Sequence, residues 1–290
     1  MKIQTYSILA GSEACNARCP FCVSKMTPPL GVTLKEPEVN WRNFRKGANY
    51  ASKCGATTAM ITGKGEPTIF PEQVSKFLGE LKDYDFPFIE LQTNGILLQT
   101  KKDKYDNYLT DWYEKGLNTV AISIVHYDAE KNRQIYTPYK KEYMDLPDLI
   151  NYLHNKGFSV RLACIGLDGF IDSSSELEKL IGFAKEYKVE QLTFRPVNKP
   201  ENSESKDTYD WTAKHHLKKE QLEDIVKYVE SNGAELLTLG HGAKVYDVKG
   251  QNLCLTNSLT KPEGEEIRQL IFFPDGHLRY DWQYGGAILI

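Results

Sequence analysis

The sequence predicts an α/β fold: an open, partial (β/α)6 barrel followed by a small α+β extension. Two observations carry this expectation. Six short runs rich in β-branched and apolar residues alternate with amphipathic helical stretches, and such alternation implies a parallel sheet with right-handed crossovers. The chemistry-bearing residues fall just after the first three runs, at the carboxyl ends of strands, where barrels of this kind hold their active sites.

The elements follow in order. Ile3–Leu9 reads as the first strand. Asn40 is a helix N-cap for Trp41 to Cys54, which Gly55 ends. Thr57–Thr62 is the second strand and leads into the loop Gly63–Pro67. Pro71 suits the first turn of a helix reaching Lys82. Phe88–Thr93 is the third strand, and Lys102–Lys115 a helix stopped by Gly116. Thr119–Val125 is the fourth strand, with a helical stretch broken at Pro138 and another, Leu146–Lys156, ended by Gly157. Phe158–Ile165 is the fifth strand. A helix over Ser174–Tyr187, capped by Ser173 or Ser174, precedes the sixth strand, Gln191–Val197. Residues 1–200 thus form the barrel core. Residues 201–290 form the extension. Residues 198–216 read as a polar linker or lid spanning that boundary, and Leu217–Asn232 as a helix ended by Gly233. Ile267–Phe273, the turn Pro274-Asp275-Gly276 and His277–Trp282 read as a hairpin covering the barrel mouth.

At 290 residues the chain can bury a full core. Its net charge of −3 offers no global basic field, which disfavours nucleic acid as a partner. No apolar run approaches the roughly 18 residues of a membrane helix. The expected compartment is the cytoplasm.

Cys15, Cys19 and Cys22 are spaced C-x₃-C-x₂-C directly after the first strand. Three thiolates can hold three irons of a cubane cluster and leave the fourth open, whereas electron-transfer clusters are commonly held by four cysteines. A zinc site is the alternative. It needs a fourth ligand, usually a paired Cys or His at short spacing, and Cys54 and His126 stand alone.

With Phe21 before the last cysteine, Gly63-Lys64-Gly65-Glu66-Pro67 after the second strand and Thr93-Asn94-Gly95 after the third, the chain resembles the radical S-adenosylmethionine (radical SAM) enzymes over about its first 200 residues. Lys64 replaces a glycine of the family's G-G-E-P loop. The resemblance implies a TIM-like partial barrel, one [4Fe-4S] cluster on Cys15, Cys19 and Cys22, and S-adenosyl-L-methionine on the open iron. It further implies one-electron cleavage of SAM to a 5′-deoxyadenosyl radical that abstracts hydrogen from a substrate. On this resemblance Glu66 accepts a hydrogen bond from the methionyl ammonium, Gly63 and Gly65 allow close backbone approach, and Pro67 fixes the turn. Thr93 and Asn94 bind ribose or the methionyl end, or cap the strand. Ser123 and Arg161 match methionyl-contacting positions, Arg161 being equally readable as a rim charge. Val197 lies where the family holds adenine by backbone groups, and Phe21 packs on adenine or shields the cluster.

For the substrate, His126 and Tyr127 are expected at the barrel mouth. Cys254 is read as lying beyond the barrel and as a candidate hydrogen donor. The C-terminal hairpin resembles the start of the auxiliary-cluster extension in molybdenum-cofactor-type and SPASM-like members, without its cysteine: residues 278–282 read Leu-Arg-Tyr-Asp-Trp. A single cluster is expected. The substrate is expected to be a small molecule (nucleotide, sugar or cofactor precursor), with a ribosomal peptide as the alternative. The implied electron source is an external donor of flavodoxin or ferredoxin type. Outside the enzymes, a zinc- or cluster-binding regulatory or electron-transfer protein stays open.

Overall fold

The computed structural model describes residues 2–197, 203–256 and 266–290. Among these, the barrel portion runs β1 (Lys2–Leu9), α1 (Val23–Met26), α2 (Trp41–Lys53), β2 (Thr58–Thr62), α3 (Pro71–Leu81), β3 (Phe88–Thr93), α4 (Ile96–Thr100), α5 (Lys102–Glu114), β4 (Thr119–Ile124), α6 (Ala129–Tyr136), α7 (Leu146–Asn155), β5 (Ser159–Gly166), α8 (Ser174–Glu186) and β6 (Gln191–Pro196). The carboxyl third adds α9 (Lys206–His215), α10 (Lys219–Asn232), β7 (Gly233–Thr238), β8 (Lys244–Val248), β9 (Gln251–Leu255), β10 (Glu266–Phe272) and β11 (Leu278–Arg279).

The six expected strands pair in parallel in sequence order. They form the middle of a larger sheet, ordered β11-β10-β1-β2-β3-β4-β5-β6-β9-β8-β7. β10 joins β1 in parallel and β9 joins β6 in parallel, so the carboxyl third lengthens both edges of the barrel wall. The hairpin expected at 267–282 is present as β10 and β11, with Ile271 opposite Arg279. The meander β7-β8-β9 was not legible in the sequence. β7 is an edge strand with exposed Leu236 and Leu237, and it lacks the apolar alternation that marks a half-buried strand. Of the stretch 198–216 read as a linker or lid, 206–215 is helical and 198–202 lies outside the described residues.

Alternation along each strand sorts the side chains. Tyr6, Ile8, Ile61, Leu91, Ile122, Leu162 and Phe194 are fully or almost fully buried and form the layer under the helices. Phe44 of α2 anchors that layer, its ring 5.9 Å from Tyr6, 5.2 Å from Phe77 and 5.3 Å from Phe272. Ser7, Met60, Glu90, Ser123, Arg161 and Arg195 alternate with these residues and line the inner face.

The turn between β7 and β8 returns to β1. His241 Nδ1 lies 3.2 Å from Gln4 Oε1, and Gln4 Nε2 donates to Glu266 at 2.7 Å. Backbone and side chain are close here: a Cβ at Gly240 would stand 2.4 Å from Gln4 Nε2. Burial, reinforced by the charge of Arg268, pushes the His241 imidazole down to about 4. The unfolded chain therefore binds a proton on this group between about pH 6.5 and 4, where the folded chain does not. Stability from the neutral histidine is present above that window and is lost as pH falls through it. His241→Gln is expected to flatten the pH dependence of urea stability between pH 4 and 6.5. An unchanged slope would show that the turn does not bury this ring.

Candidate active site

Three loops meet at the carboxyl ends of β1, β2 and β3. Ala10 N–H donates to Thr62 O at 2.8 Å, and the Glu66 N–H donates to Ala14 O at 2.9 Å, so the β2 loop rests on the cysteine loop. Gly65 makes this contact feasible. A Cβ there would fall 2.1 Å from Ala14 O and 2.6 Å from Ser12 O, both rigid backbone. At Gly63 the nearest obstacle is Ala10 O, 3.0 Å from a built Cβ.

Glu66 is 4% exposed. Its Oε1 accepts from Thr68 N–H at 3.1 Å, Thr68 Oγ1 at 2.7 Å and Thr93 Oγ1 at 2.6 Å. Its Oε2 accepts from Asn94 N–H at 2.8 Å. Burial raises the carboxyl above its ordinary value, and these donors oppose the rise. Pro67 opens the 3-10 turn that presents Thr68. Asn94 then donates from Nδ2 to Asn16 Oδ1 at 2.7 Å, which carries the network back into the cysteine loop.

Cys15 is exposed, while Cys19 and Cys22 are half-buried. Desolvation by the surrounding protein pushes the Cys15 thiol up to about 11. Burial also raises Cys19, and each of these two thiols is raised further by the charge of Cys22. Ala17 N–H donates to Cys15 Sγ at 3.4 Å. Among the described residues no group of three or more His, Cys, Asp or Glu side chains is set to hold a single metal ion. The donor set fits a cluster bound through three thiolates: the thiols share one loop and feel one another's charge. Beside them, Asn16 Nδ2, Tyr136 OH and Tyr143 OH are buried polar atoms with no hydrogen-bond partner among the described residues. Both tyrosines are raised by burial first and then by the charge of Cys19.

Other expected residues take different places. Phe21 is buried between Tyr136 and Trp211, its ring 6.3 and 6.0 Å from theirs. Val197 uses its N–H on Gly166 O at 3.0 Å. Ser123 is half-buried on the inner face. Arg161 pairs with Glu90, one strand-repeat below the level of Ser123. His126 and Tyr127 do not meet the expectation of a mouth-facing pair. His126 shares the parity of Ile122 and Ile124, so it turns toward the helices. Its Nδ1 accepts from Asp128 N–H at 2.9 Å and its Nε2 lies 3.4 Å from Glu176 of α8. Burial and Lys131 hold its pKa below the usual value. Tyr127 stacks on Phe183 and donates to Glu176 at 3.4 Å. Cys254 is also corrected: it lies within the barrel wall, on β9 opposite Thr193 of β6, and is half-buried.

The sequence does not single out Asn16 or Tyr143 as site residues, offers Tyr136 only as a weak substrate candidate, and presents Lys64 as a neutral departure. Lys64 is in fact 5% exposed, and its Nζ donates to Thr27 Oγ1 at 2.9 Å and to Pro28 O at 2.5 Å. It fastens the segment after α1 to the β2 loop. A buried lysine in a glycine position was the available signal.

Comparison with known proteins decides the family. The radical SAM superfamily model matches residues 10–184. The chain belongs to that superfamily. It is accordingly an enzyme of the class that uses a [4Fe-4S] cluster and S-adenosylmethionine. It is similar to molybdenum cofactor biosynthesis protein moc-5 of Caenorhabditis elegans, at 31% identity over 45% of this chain and 20% of that protein. It is also similar to the "Probable GTP 3′,8-cyclase" of Sulfurisphaera tokodaii, at 26% identity over 74% of this chain and 61% of that protein. The matches therefore span between a fifth and about three-fifths of these relatives' own length. Among solved structures, anSMEcpe with bound AdoMet superposes with a TM-score of 0.61 at 14% identity, over 100% of this chain and 74% of that one. SuiB of Streptococcus suis bound to S-adenosylmethionine superposes at 0.58 and 14%, over 96% and 60%. Both share the fold.

Gly65→Ala tests the loop contact. A methyl group forced against the Ala14 carbonyl is expected to separate the β2 loop from the cysteine loop. Iron and sulfide retained after anaerobic reconstitution should fall well below the parent's, with the far-ultraviolet circular dichroism unchanged. Full retention would mean the contact is not needed to form the site.

Proposed function

We propose that this radical SAM enzyme acts on a small molecule held inside the barrel, with Cys15, Cys19 and Cys22 as the cluster ligands. The observation that carries the reading is the Glu66 network, which joins the loops after β1, β2 and β3 into one preformed wall beside the thiols. The cluster, when bound and reduced, supplies the electron that cleaves SAM and generates the hydrogen-abstracting radical. The chain's own residues position and exclude. Gly63 and Gly65 let the cysteine loop pack directly on the β2 loop, where their missing side chains would otherwise stand, and Ser123 offers the methionyl group an inner-face hydroxyl. Glu66, whose Oε2 keeps a lone pair beyond the Asn94 bond, is the acceptor on offer to the ammonium. Thr93 and Asn94 act by holding Glu66 and Asn16. Phe21, Tyr136 and Trp211 keep water from the buried side of Cys19. Val197 borders the adenine end. Arg161 serves the inner face, through its pair with Glu90, in preference to the methionyl carboxylate.

The relatives named for GTP 3′,8-cyclisation make a nucleotide the first substrate to assay. Electrons come from an external carrier of flavodoxin or ferredoxin type, in a cytoplasmic setting; no described helix is long and apolar enough to cross a membrane. The hairpin β10–β11 borders the substrate space. Trp282 donates to Gln269 Oε1 at 2.8 Å and packs with Leu9, Val32, Ile271 and Phe273.

The test is anaerobic reconstitution followed by dithionite and SAM. About four iron and four sulfide per chain are expected, with release of 5′-deoxyadenosine and methionine. Alanine at any of Cys15, Cys19 or Cys22 should abolish both. One zinc per chain without SAM cleavage would overturn the reading.

A second reading concerns Cys254. It faces the same lumen as Arg161, whose charge, with that of Arg268, opposes the rise that burial imposes on its thiol. A thiol there can give its S–H hydrogen to a substrate carbon radical; the resulting thiyl is restored by one electron from the external carrier and a proton. Once a substrate is found, Cys254→Ser should stop solvent-derived deuterium entering the product at the abstracted position. Unchanged deuterium would remove Cys254 from the reaction.

A further inference from the structure

The cysteine loop is held to the β2 loop on both of its limbs, by different means. Before Cys15, the peptide N–H of Glu66 donates to Ala14 O at 2.9 Å. After Cys22, the hold is a side chain. Lys64 Nζ donates to Thr27 Oγ1 at 2.9 Å, to Thr27 O at 3.3 Å and to Pro28 O at 2.5 Å. Thr27 is the C-cap of α1, and Cys22 is its N-cap. The Thr27 hydroxyl that accepts from Lys64 donates in turn to Val23 O at 3.1 Å. Lys25 N–H donates to Cys22 O at 3.0 Å. One side chain thus ties down the whole turn that Cys22 opens.

The ammonium has three protons to donate, and all three meet neutral oxygens. Lys64 and Thr27 are both buried. A buried cation bonded only to neutral acceptors costs more than one paired directly with a carboxylate. Glu13, Cys22 and Glu204 face it through space and favour the charged form, against the burial that lowers it to about 8. Bonding two carbonyls and a hydroxyl needs donors but no charge. What the lysine adds is a positive charge, fixed at the end of a turn that rises about 7.5 Å from Cys22. The potential of an iron–sulfur cluster depends on net charge and burial around it, and a charge held away from water is weakly screened.

We propose that Lys64 is a positioning residue for the cluster: it fixes Cys22 through α1 and holds a positive charge on that side, which makes the cluster easier to reduce. This rests on the reading that Cys15, Cys19 and Cys22 hold the cluster. The rival is a purely structural tie, in which a neutral donor would serve as well.

The experiment is a potentiometric titration of the anaerobically reconstituted full chain at pH 7, followed by the electron paramagnetic resonance of the reduced cluster. Lys64→Gln, which keeps a donor and loses the charge, is expected to lower the midpoint by about 59 mV, tenfold in reduced fraction at a fixed poise. Lys64→Arg, which keeps both, should stay near the parent. The proposal is overturned if Lys64→Gln loads its cluster and keeps the parent's midpoint, or if Lys64→Arg shifts as far as Lys64→Gln. If Lys64→Gln retains no iron, Lys64→Arg decides: a loaded cluster at the parent's midpoint upholds the proposal, and loss there too overturns it. A parent that takes up zinc and no iron fails the cluster reading itself, before any variant is compared, and takes the proposal with it.

Discussion

A buried carboxylate organises the site. Glu66 sits where a charge is expensive, and desolvation is the strongest influence on its pKa. Four donors, two from Thr68 and one each from Thr93 and Asn94, offset that cost. The dependence is mutual, because each donor would be left buried and unpaired without the carboxylate, at about 1–3 kcal/mol apiece. No single strand could fix the relation between the cysteine loop, the β2 loop and the end of β3. The network does so, and Gly65 removes the most severe steric obstacle at the loop contact. The three loops are thus joined by the chain's own hydrogen bonds, which is the kind of support that orienting a reactive group requires.

How much of this was readable depended on how local the signal was. Asn40 caps α2 by accepting from Asn43 N–H at 3.1 Å, and Gly55 takes the left-handed φ of 90° expected after it. Pro71 opens α3. These are contacts within a few residues, and the sequence shows them directly. The motif loops were legible for the same reason: each follows a strand that patterning identifies. Facing directions were harder, though parity held the answer for His126, two residues beyond Ile124 and four beyond Ile122. Its role as an outward, hydrogen-bonded residue follows from that count. The position of Cys254 had no local signal. It depends on β9 pairing with β6 across more than 50 residues of chain, and β8 and β9 read as polar, broken stretches.

The carboxyl third changes the barrel from an open sheet into a nearly wrapped one. Strands β9 and β10 extend the parallel wall at both edges, and short antiparallel strands finish it. The β7–β8 turn reaches Gln4 at the amino ends of the strands, so the two borders of the sheet approach each other there. An edge strand exposed over its whole length would be an aggregation hazard. At the β10 side the two-residue β11 and the segment after it cover the edge; at the other, β7 carries Glu235 in an ion pair with Lys244.

That wrapping gives the lumen two unlike walls. On the β1–β10 side, Leu9, Ile271, Phe273 and Trp282 form an apolar patch, with Arg279 stacked over Phe273. On the β5–β6 side stand Arg161, Thr193 and Arg195, with Cys254 of β9 beside them. The cysteine loop rises from β1, next to the apolar wall. A molecule entering the lumen therefore meets guanidinium charge on one side and apolar side chains on the other, and that difference favours holding its polar end toward β5 and β6 and its uncharged part toward the cysteine loop.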